Sequence, residues 1–254
     1  MKVALLQMPI VWENAQANRD YIDQKIIDCA AHIDLFVLPE MFTTGFSMQP
    51  EHICESMNGA TVQWMQRLAS TKNSAVAGSI IIKENNKFFN RLLFVHPTGR
   101  MDFYDKRHLF SLAGEHDRYT AGTQKTIVDF RGFRFCLQIC YDLRFPVFSR
   151  NTENYDVLLY VANWPEPRIA AWDALLKARA IENMSYCLGV NRTGTDANKH
   201  EYCGHTQAID YLGKNILDAQ TCVGLFVVEI DKNMIHDTRK KLNFLADQDR
   251  FTIL

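Results

Sequence analysis

The chain has 254 residues, 47% of them hydrophobic, and a formal net charge of −1 at pH 7. A nearly neutral chain has no overall field that would favour nucleic acid or an anionic membrane surface, so we expect a small-molecule partner. No apolar run approaches the roughly 20 residues that span a bilayer, and Gln7 and Pro9 interrupt the opening segment before it could serve as the apolar region of a signal peptide.

The seven cysteines are odd in number and scattered along the chain. In a chain of this size they do not resemble a disulfide framework, and they indicate a reducing compartment. We therefore expect a cytoplasmic protein. Because no linker rich in Pro, Gly or Ser interrupts the chain, residues 1–254 are predicted to form a single domain.

Helix-like and strand-like patterns alternate through the first part of the chain. Four segments have the apolar spacing of a regular element: a strand over 3–9, a helix over 14–33, a strand over 35–40 and a helix over 61–72. Residues 75–84 and 87–97 then predict two strands, joined by the polar turn Asn85-Asn86 into a hairpin.

A second hairpin is predicted around Arg131-Gly132, followed by a short helix over 144–151. The strand over 156–164 precedes a helix over 168–184, and the final third is rich in strands. The basic residues 239–241 are expected at the solvated end of a C-terminal helix. Continuous apolar runs such as 158–162 are typical of strands covered on both faces, so we predict an α/β fold with a mixed sheet inside and helices outside.

Cys140 lies where a strand-forming run meets a turn, in QICYDLRFP. A cysteine is a good nucleophile only as the thiolate, so it needs a neighbouring base or cation. The polar residues Tyr141 and Asp142 follow, an arrangement that would point the thiol and the next backbone N–H into one cleft. The alternative is that Cys140 is a small buried apolar side chain, like Cys136.

Two charged residues occupy comparable positions upstream. Glu40 ends the apolar run LFVLPE, where partial desolvation would raise the pKa of its carboxyl towards neutrality, as suits a general base. Lys106 lies in FYDKRHLF. The alternatives are a solvated loop residue for Glu40 and a surface ion pair with Asp105 or Asp102 for Lys106. A carboxylate, an ammonium and a thiol together suffice for acyl transfer.

The order of these elements, PE after a strand, then DKRH, then CYDLRFP, resembles the nitrilase superfamily of carbon-nitrogen hydrolases. The resemblance extends over the whole chain, from KVALLQMP through GEHDRYTAG to KARAIENMSYCLGVNRTG. The segments CYDLRFPVFSRN and YVANWPEPR are most similar to the omega-amidase branch, close to the YafV-like amidases.

This resemblance implies a role for four residues: Cys140 as nucleophile, Glu40 as general base, Lys106 as the cation that stabilises the oxyanion, and Glu115 as a second glutamate that orients the base or the lysine. It also implies a four-layer α-β-β-α sandwich of the nitrilase type. Such proteins usually pair across one helical face, so a homodimer is expected. We predict that the helix over 168–184 and the tail LNFLADQDRFTIL lie at its interface.

The omega-amidase branch implies short omega-amides of dicarboxylates as substrates, such as 2-oxoglutaramate and 2-oxosuccinamate, cleaved to the 2-oxo acid and ammonia through a cysteine thioester. A guanidinium is the natural partner of the distal carboxylate. We predict Arg168 in this role, and expect Arg144 to pair with Asp142. The predicted walls of the substrate site are Phe42, Tyr141 and Trp164.

Two other functions remain as alternatives. The first alternative is another hydrolase of the superfamily, an aliphatic nitrilase or an N-carbamoyl amino acid amidohydrolase. The second is a non-catalytic binding module, against which the intact Glu40, Lys106 and Cys140 argue. His108 could partner Cys140 in a Cys-His hydrolase, but is predicted to pack beside the lysine strand.

No metal or cofactor is predicted. The segment HEYCGH, which contains His200, Cys203 and His205, has no fourth ligand at a zinc spacing. A glycine-rich phosphate loop is also absent from the sequence, so no nucleotide is expected.

Overall fold

Strands form the centre of the structure, a computed structural model that describes residues 1–253. In chain order they are β1 (Lys2–Gln7), β2 (Leu35–Val37), β3 (Ala75–Glu84), β4 (Lys87–Val95), β5 (Met101–Asp105), β6 (Ile127–Phe130), β7 (Phe133–Ile139), β8 (Val157–Ala162), β9 (Tyr186–Asn191), β10 (Thr193–Thr195), β11 (Glu201–Cys203), β12 (Gln207–Ile209), β13 (Asn215–Asp218) and β14 (Gly224–Glu229).

Helices and short 3-10 turns connect these strands. The α-helices are α1 (Ala15–Ile27), α2 (Pro50–Ile53), α3 (Ala60–Lys72), α4 (Glu115–Arg118), α5 (Pro146–Ser149), α6 (Ile169–Asn183) and α7 (Lys232–Leu242). The 3-10 turns cover Ser111–Ala113, Cys140–Arg144, Glu166–Arg168 and Phe244–Asp247. None of these helices, within residues 1–253, is long and apolar enough to cross a membrane.

The strands form two six-stranded mixed sheets and one small ribbon. The first sheet has the order β14-β1-β2-β3-β4-β5 and the second has the order β13-β12-β9-β8-β7-β6, while β10 pairs with β11. In the first sheet β1, β2 and β3 are parallel. In the second, β7, β8 and β9 are parallel. Each sheet therefore combines a parallel centre with antiparallel edges.

Side chains alternate between the two faces of each sheet, as the pleat of a strand requires. Val3 of β1 and Leu159 of β8 point into a core shared by both sheets. Leu6 of β1 faces the core that contains residues of α1 and α3, and Leu158 of β8 faces the core that contains residues of α6. Helices thus cover the outer face of each sheet, and the predicted α-β-β-α sandwich is confirmed.

Both predicted hairpins are present. Asn85 and Asn86 have φ of 51° and 59°, and Arg131 and Gly132 have φ of 45° and 82°. Two-residue hairpin loops favour positive φ at both positions because this twist matches the twist of the strands. Asn and Gly adopt that conformation at low cost.

Two predicted helices differ from the observed ones. The helix predicted over 14–33 ends at Ile27, because Asp34 joins the sheet through hydrogen bonds with Lys2 and Ala75. The helix predicted over 144–151 is shorter in the structure: the 3-10 turn Cys140–Arg144 ends at its first residue, and only Pro146–Ser149 (α5) is α-helical. Pro146 begins α5, since proline has no N–H and is tolerated only in the first turn of a helix.

Candidate active site

The predicted catalytic residues follow the ends of strands. Lys106 comes directly after β5 and Cys140 directly after β7, while Glu40 lies three residues beyond β2. Ligands of sheets with parallel strands commonly bind at the carboxyl ends of those strands. The structure brings Glu40, Lys106, Cys140 and Glu115 together at this position.

Lys106 is the centre of a fully buried charge cluster. Its Nζ lies 3.0 Å from Oε1 of Glu40 and 2.9 Å from Oε2 of Glu115, and all three side chains have 0% exposure. Burial of these charges is tolerable only because they are paired and hydrogen-bonded. The alternative of a surface ion pair is therefore wrong: Asp105 pairs instead with Arg91, at 2.7 Å.

Glu40 is held by four contacts in addition to its packing. Its Oε1 accepts hydrogen bonds from Lys106 and from Nδ2 of Asn90, the latter at 2.8 Å. Its Oε2 accepts a hydrogen bond from the backbone N–H of Asn163 at 2.7 Å, and Nδ2 of Asn163 donates to the main-chain oxygen of Glu40 at 2.6 Å. The carboxylate is thus fixed in one orientation.

Glu115 holds the lysine from the other side. It is the first residue of α4, and its Oε2 also accepts a hydrogen bond from the backbone N–H of Phe110 at 2.6 Å. Burial raises the pKa of the Glu115 carboxyl, against the opposing effect of Lys106. Burial by itself would lower the pKa of Lys106, but Glu115 and Glu40 reverse this effect, and the pKa of the ammonium is raised. Lys106 is therefore charged at neutral pH.

Cys140 lies beside this cluster in an uncommon backbone conformation. Its φ is +47°, a region that non-glycine residues rarely adopt and that often marks functional sites. Cys140 begins a 3-10 turn, and the first N–H groups of a helical turn have no partner within it. Burial raises the pKa of the thiol well above its usual value, the Glu40 carboxylate raises it further, and Lys106 acts in the opposite direction. The thiol is therefore protonated at rest.

Asp142 connects the cysteine turn with the lysine segment. Its buried carboxylate accepts hydrogen bonds from the backbone N–H of Ile139 at 2.9 Å and from Oη of Tyr104 at 2.8 Å. It also accepts one from the backbone N–H of His108, at 3.0 Å, and contacts Nδ1 of the same residue at 2.7 Å. The predicted pairing of Arg144 with Asp142 is wrong, because these groups occupy the carboxylate. His108 likewise contacts Asp142 rather than Cys140, and its ring stacks on Phe145.

A cavity of about 220 Å³ opens next to Cys140 and Lys106. Of the residues predicted to bind substrate, Tyr141, Trp164 and Arg168 line it. Arg144 also lines it, with its guanidinium 4.8 Å from the ring centroid of Trp164. Two guanidinium groups, in addition to the ammonium of Lys106, therefore border the same cavity as the thiol.

Phe42 is the exception among the predicted substrate-binding residues. It is fully buried in the core between the first sheet and its helices, with its ring centroid 5.9 Å from that of Trp64. An apolar ring that follows a buried strand gains most from packing under a helix. Phe42 does not form the wall predicted for it, whereas Phe46 and Phe110 do line the cavity.

Sequence reasoning missed Asn90, Asn163 and the role of Asp142. A signal for Asn163 was present: it follows β8 directly, just as Cys140 follows β7. Asn90 lies inside β4 and carries no such signal. Its Nδ2 contacts both Glu40 and Glu115, at 2.8 and 3.4 Å.

The histidines near the C-terminal strands have carboxylate partners. Nδ1 of His200 lies 3.2 Å from Asp196, and Nδ1 of His205 lies 3.0 Å from Asp173. In the part of the chain that the structure describes, no group of three or more His, Cys, Asp or Glu residues is arranged to hold a metal ion.

Comparison with known proteins agrees with this geometry. The model of the carbon-nitrogen hydrolase family matches residues 2–240. The chain is 41% identical to the omega-amidase YafV of Escherichia coli, over 100% of this chain and 98% of that protein. It is 30% identical to the 2-oxoglutaramate amidase of Bacillus subtilis, over 96% of each protein.

Among solved structures, a superfamily member from Xanthomonas campestris superposes with a TM-score of 0.97 at 38% identity, covering 100% of this chain and 99% of that one. Its crystal structure contains an arsenic adduct in the active site. The protein described here therefore belongs to the carbon-nitrogen hydrolase family, and the resemblance seen in its sequence is confirmed.

Proposed function

We propose that this protein is an omega-amidase that hydrolyses short omega-amides of dicarboxylates, such as 2-oxoglutaramate and 2-oxosuccinamate, to the 2-oxo acid and ammonia. Full-length similarity to an omega-amidase and to a 2-oxoglutaramate amidase supports this proposal. The observation that carries it is the buried pair of Glu40 and Lys106 beside Cys140, at a cavity that Lys106, Cys140, Arg144 and Arg168 line.

The charge of the cluster defines the role of Glu40. The buried group combines two carboxyl groups with one ammonium, so with both carboxyl groups ionised its net charge is −1, and a thiolate at Cys140 would add a second negative charge. Such an addition is unfavourable in a buried site, and the raised pKa of the thiol expresses this cost. Transfer of the thiol proton to Glu40 leaves the net charge unchanged. Glu40 is therefore the general base in the proposed Glu-Lys-Cys triad.

Acylation begins with attack of Sγ of Cys140 on the amide carbon while Glu40 takes the thiol proton. The carbonyl oxygen becomes an oxyanion, which Nζ of Lys106 and the backbone N–H of Tyr141 stabilise. Glu40 then gives the proton to the amide nitrogen, the C–N bond breaks, and ammonia leaves. The remaining acyl group is a thioester on Cys140. Glu115 positions Lys106 throughout.

Deacylation uses the same carboxylate. Glu40 takes a proton from a water molecule, and the resulting hydroxide attacks the thioester carbon. Lys106 and the N–H of Tyr141 again stabilise the oxyanion. Collapse of this intermediate breaks the C–S bond, and the proton on Glu40 returns to Sγ. The 2-oxo acid leaves and the enzyme is restored.

The distal carboxylate of the substrate requires a cationic partner. Arg168 is the residue proposed from the sequence, and its position on the cavity supports this role. Arg144 qualifies equally by position, since it lies on the turn that starts at Cys140. Guanidinium groups bind carboxylates through two parallel hydrogen bonds, which favours dicarboxylate amides over neutral ones. Tyr141 and Trp164 are proposed as walls.

We also propose that the protein is a single-domain, cytoplasmic homodimer. The core shared by both sheets supports a single domain. All seven cysteines are free, which suits a reducing compartment. Exposed apolar side chains support pairing: Phe244, Phe251 and Ile253 of the tail and Ile181 of α6. Leu242 and Leu245, also predicted at the interface, are half-buried.

The proposed activity is tested by measuring ammonia release from 2-oxoglutaramate by the wild type and by Cys140→Ala. Glutamine, an aliphatic nitrile and an N-carbamoyl amino acid are assayed in parallel. We expect the keto-amide to react far faster than the other three, and the alanine variant to be inactive. Faster turnover of the nitrile or the carbamoyl compound would assign the protein to another activity of the superfamily. Turnover of none of them would contradict the proposal.

A further inference from the structure

Another cavity, of about 360 Å³, lies at the far end of the second sheet from Cys140. Asp156, which lines it, comes directly before β8, whereas Asn163, beside Cys140, comes directly after that strand. A strand of six residues is about 20 Å long, so this cavity is separate from the catalytic one. Five basic residues line it, and we call it the basic cavity: Arg134, Lys232, His236, Arg239 and Lys240.

Helix α7 supplies four of these five basic residues. Positions 232, 236, 239 and 240 are spaced so that they share one face of the helix. A cation is favourable at the C-terminal end of a helix, which is the reason expected for residues 239–241, but it is unfavourable at the N-terminal end, where Lys232 is the first residue. Arg239, moreover, is half-buried rather than solvated. The helix dipole therefore does not explain this basic face.

The buried carboxylate of Asp156 draws the basic groups together. Its Oδ2 accepts a hydrogen bond from the backbone N–H of Arg134 at 3.0 Å and lies 3.3 Å from Nζ of Lys232. Its Oδ1 lies 3.4 Å from both Nη1 of Arg239 and Nε2 of His236. Two further hydrogen bonds, to main-chain oxygens, fix the guanidinium of Arg239. The basic groups are therefore held in place before any ligand arrives, which reduces the cost of binding one.

The positive charge around the cavity exceeds what Asp156 can balance. Four of the basic residues are permanently charged, and Asp156 is the one carboxylate among the residues that line the cavity, so a surplus of three positive charges remains. Asp129 lies 3.6 Å from Arg134, but it is outside the cavity and exposed, so water weakens its effect. Fastening α7 to one carboxylate does not require this surplus. Converging like charges repel each other unless an anion is bound between them.

We propose that the basic cavity binds the linked phosphate groups of a polyphosphate, either inorganic or part of a nucleotide. Lysine and arginine side chains are the usual partners of phosphate oxygens. A phosphoryl group carries about −1.5 to −2 charges at neutral pH, so two linked groups match the surplus, whereas one carboxylate does not. The basic groups are accessible to such an anion: the side chains of His236, Arg134 and Lys232 are 48%, 39% and 31% exposed.

This site differs from a glycine-rich phosphate loop. In such a loop backbone N–H groups hold the phosphates, whereas here side chains from α7 and β7 would do so. The sequence signal is correspondingly different, a basic face on a helix whose cations extend to its first turn. The overall charge of −1 conceals this local surplus.

Calorimetric titration of the full chain tests the proposal. Pyrophosphate, ADP and citrate are compared at constant ionic strength and without divalent cations. We expect pyrophosphate and ADP to bind, and citrate, a carboxylate of comparable charge, to bind at least about 10-fold more weakly. Equal affinity for pyrophosphate and ADP would identify the phosphate groups as the whole ligand, and tighter binding of ADP would identify a nucleotide.

Two adjacent lysines provide a matched pair of variants. Lys240→Glu reverses a charge that lines the cavity, whereas Lys241→Glu makes the same change on an exposed neighbour that does not line it. We expect Lys240→Glu to raise the Kd for pyrophosphate roughly 10- to 100-fold, as for lost hydrogen bonds to a charged group. Lys241→Glu should raise it less than about 3-fold, because solvent screens a charge outside the cavity. Arg134→Gln, on β7, should weaken binding as Lys240→Glu does.

Thermal unfolding without ligand shows whether each variant is folded, and Arg134→Gln replaces Lys240→Glu if the latter is not. Absence of pyrophosphate binding by the wild type, equal weakening in the two lysine variants, or equally tight binding of citrate would overturn the proposal. Loss of binding in Arg168→Ala would assign the anion to the catalytic cavity and would overturn it as well. None of these outcomes depends on the omega-amidase activity.

Discussion

Nζ of Lys106 lies 3.0 Å from Oε1 of Glu40, and both side chains are completely buried. Glu115 lies on the other side of the ammonium, so two carboxyl groups share one cation. In the proposed mechanism, Glu40 both disfavours a thiolate at rest and accepts the thiol proton when an amide is present. Activity would then depend on moving a proton between Cys140 and Glu40, rather than on a thiolate at rest.

Replacement of Glu40 by Gln tests this charge balance. Glu40 raises the pKa of Cys140, second only to burial, and Lys106 remains in the variant. We expect Glu40→Gln to lower the pKa of the thiol, so that iodoacetamide alkylates it at lower pH than in the wild type. Amide hydrolysis should nevertheless fall by about 10²- to 10⁴-fold, because no base carries the proton to the leaving nitrogen.

The alkylation is followed by intact mass as a function of pH, and Cys140→Ala identifies the signal that belongs to this cysteine. An unchanged profile, or one displaced to higher pH, would show that Glu40 does not influence the thiol in this way.

Asp142 is predicted to position the nucleophile. Asp142→Asn exchanges one acceptor oxygen for an NH2 group that faces the donors of Ile139, Tyr104 and His108. We expect the free energy of unfolding to fall by about 2–4 kcal/mol, because the carboxylate is buried and both of its oxygens accept hydrogen bonds. At temperatures where the variant is folded, kcat should fall more than KM rises.

Chemical unfolding and steady-state kinetics with 2-oxoglutaramate measure both effects. Asp173→Asn is the control, since that carboxylate is 37% exposed and contacts His205. It should cost about 1 kcal/mol or less. Equal stability of the two variants would remove the basis for a positioning role of Asp142.

The two arginines of the cavity are predicted to set specificity for an anionic substrate. Arg144→Ala and Arg168→Ala should each raise KM for 2-oxoglutaramate roughly 10- to 100-fold, as expected for the loss of hydrogen bonds to a charged group. Turnover of a neutral short amide should change little. Arg118→Ala is the control, because its side chain is 44% exposed and contacts Glu51 outside the cavity. An arginine whose loss affects neutral and anionic amides equally does not bind the carboxylate.

The proposed homodimer is tested through its apolar surface. Phe251 lies with Val147 of α5 around a shallow depression that α6 also borders, through Glu182. We expect the wild type to sediment as a dimer at micromolar concentration, and the double variant Ile181→Asp, Phe251→Asp to shift towards the monomer. Substitution of the buried Phe42 is unsuitable as a control because it disturbs folding, so Lys87→Asp, an exposed residue next to the hairpin turn Asn85-Asn86, is used. A monomeric wild type would refute the dimer.

Much of this fold follows from local sequence signals. The hairpin turns at Asn85-Asn86 and Arg131-Gly132 are predictable because two adjacent residues determine the loop. Glu40, Lys106 and Cys140 are recognisable because each follows a strand within a short motif. The end of α1 is less predictable, since Asp34 is drawn into the sheet by contacts with Lys2 and Ala75.

The supporting residues of the site were hidden because their contacts span long distances in sequence. Asn163 holds Glu40 from 123 residues away. Arg144 was expected to pair with Asp142 because the two are neighbours in sequence. Tyr104 and His108 occupy that carboxylate from 38 and 34 residues upstream, which leaves Arg144 at the cavity. Only the folded chain reveals such competition for a buried group.

The proposed mechanism requires Cys140 to form a thioester with the substrate. This intermediate is detected by rapid quenching of the wild type during turnover of 2-oxoglutaramate, followed by intact and peptide mass spectrometry. We expect one acyl group per chain, located on the peptide that contains Cys140 and absent from Cys140→Ala. Ammonia release that continues in Cys140→Ala, or an acyl group on any other residue, would contradict it.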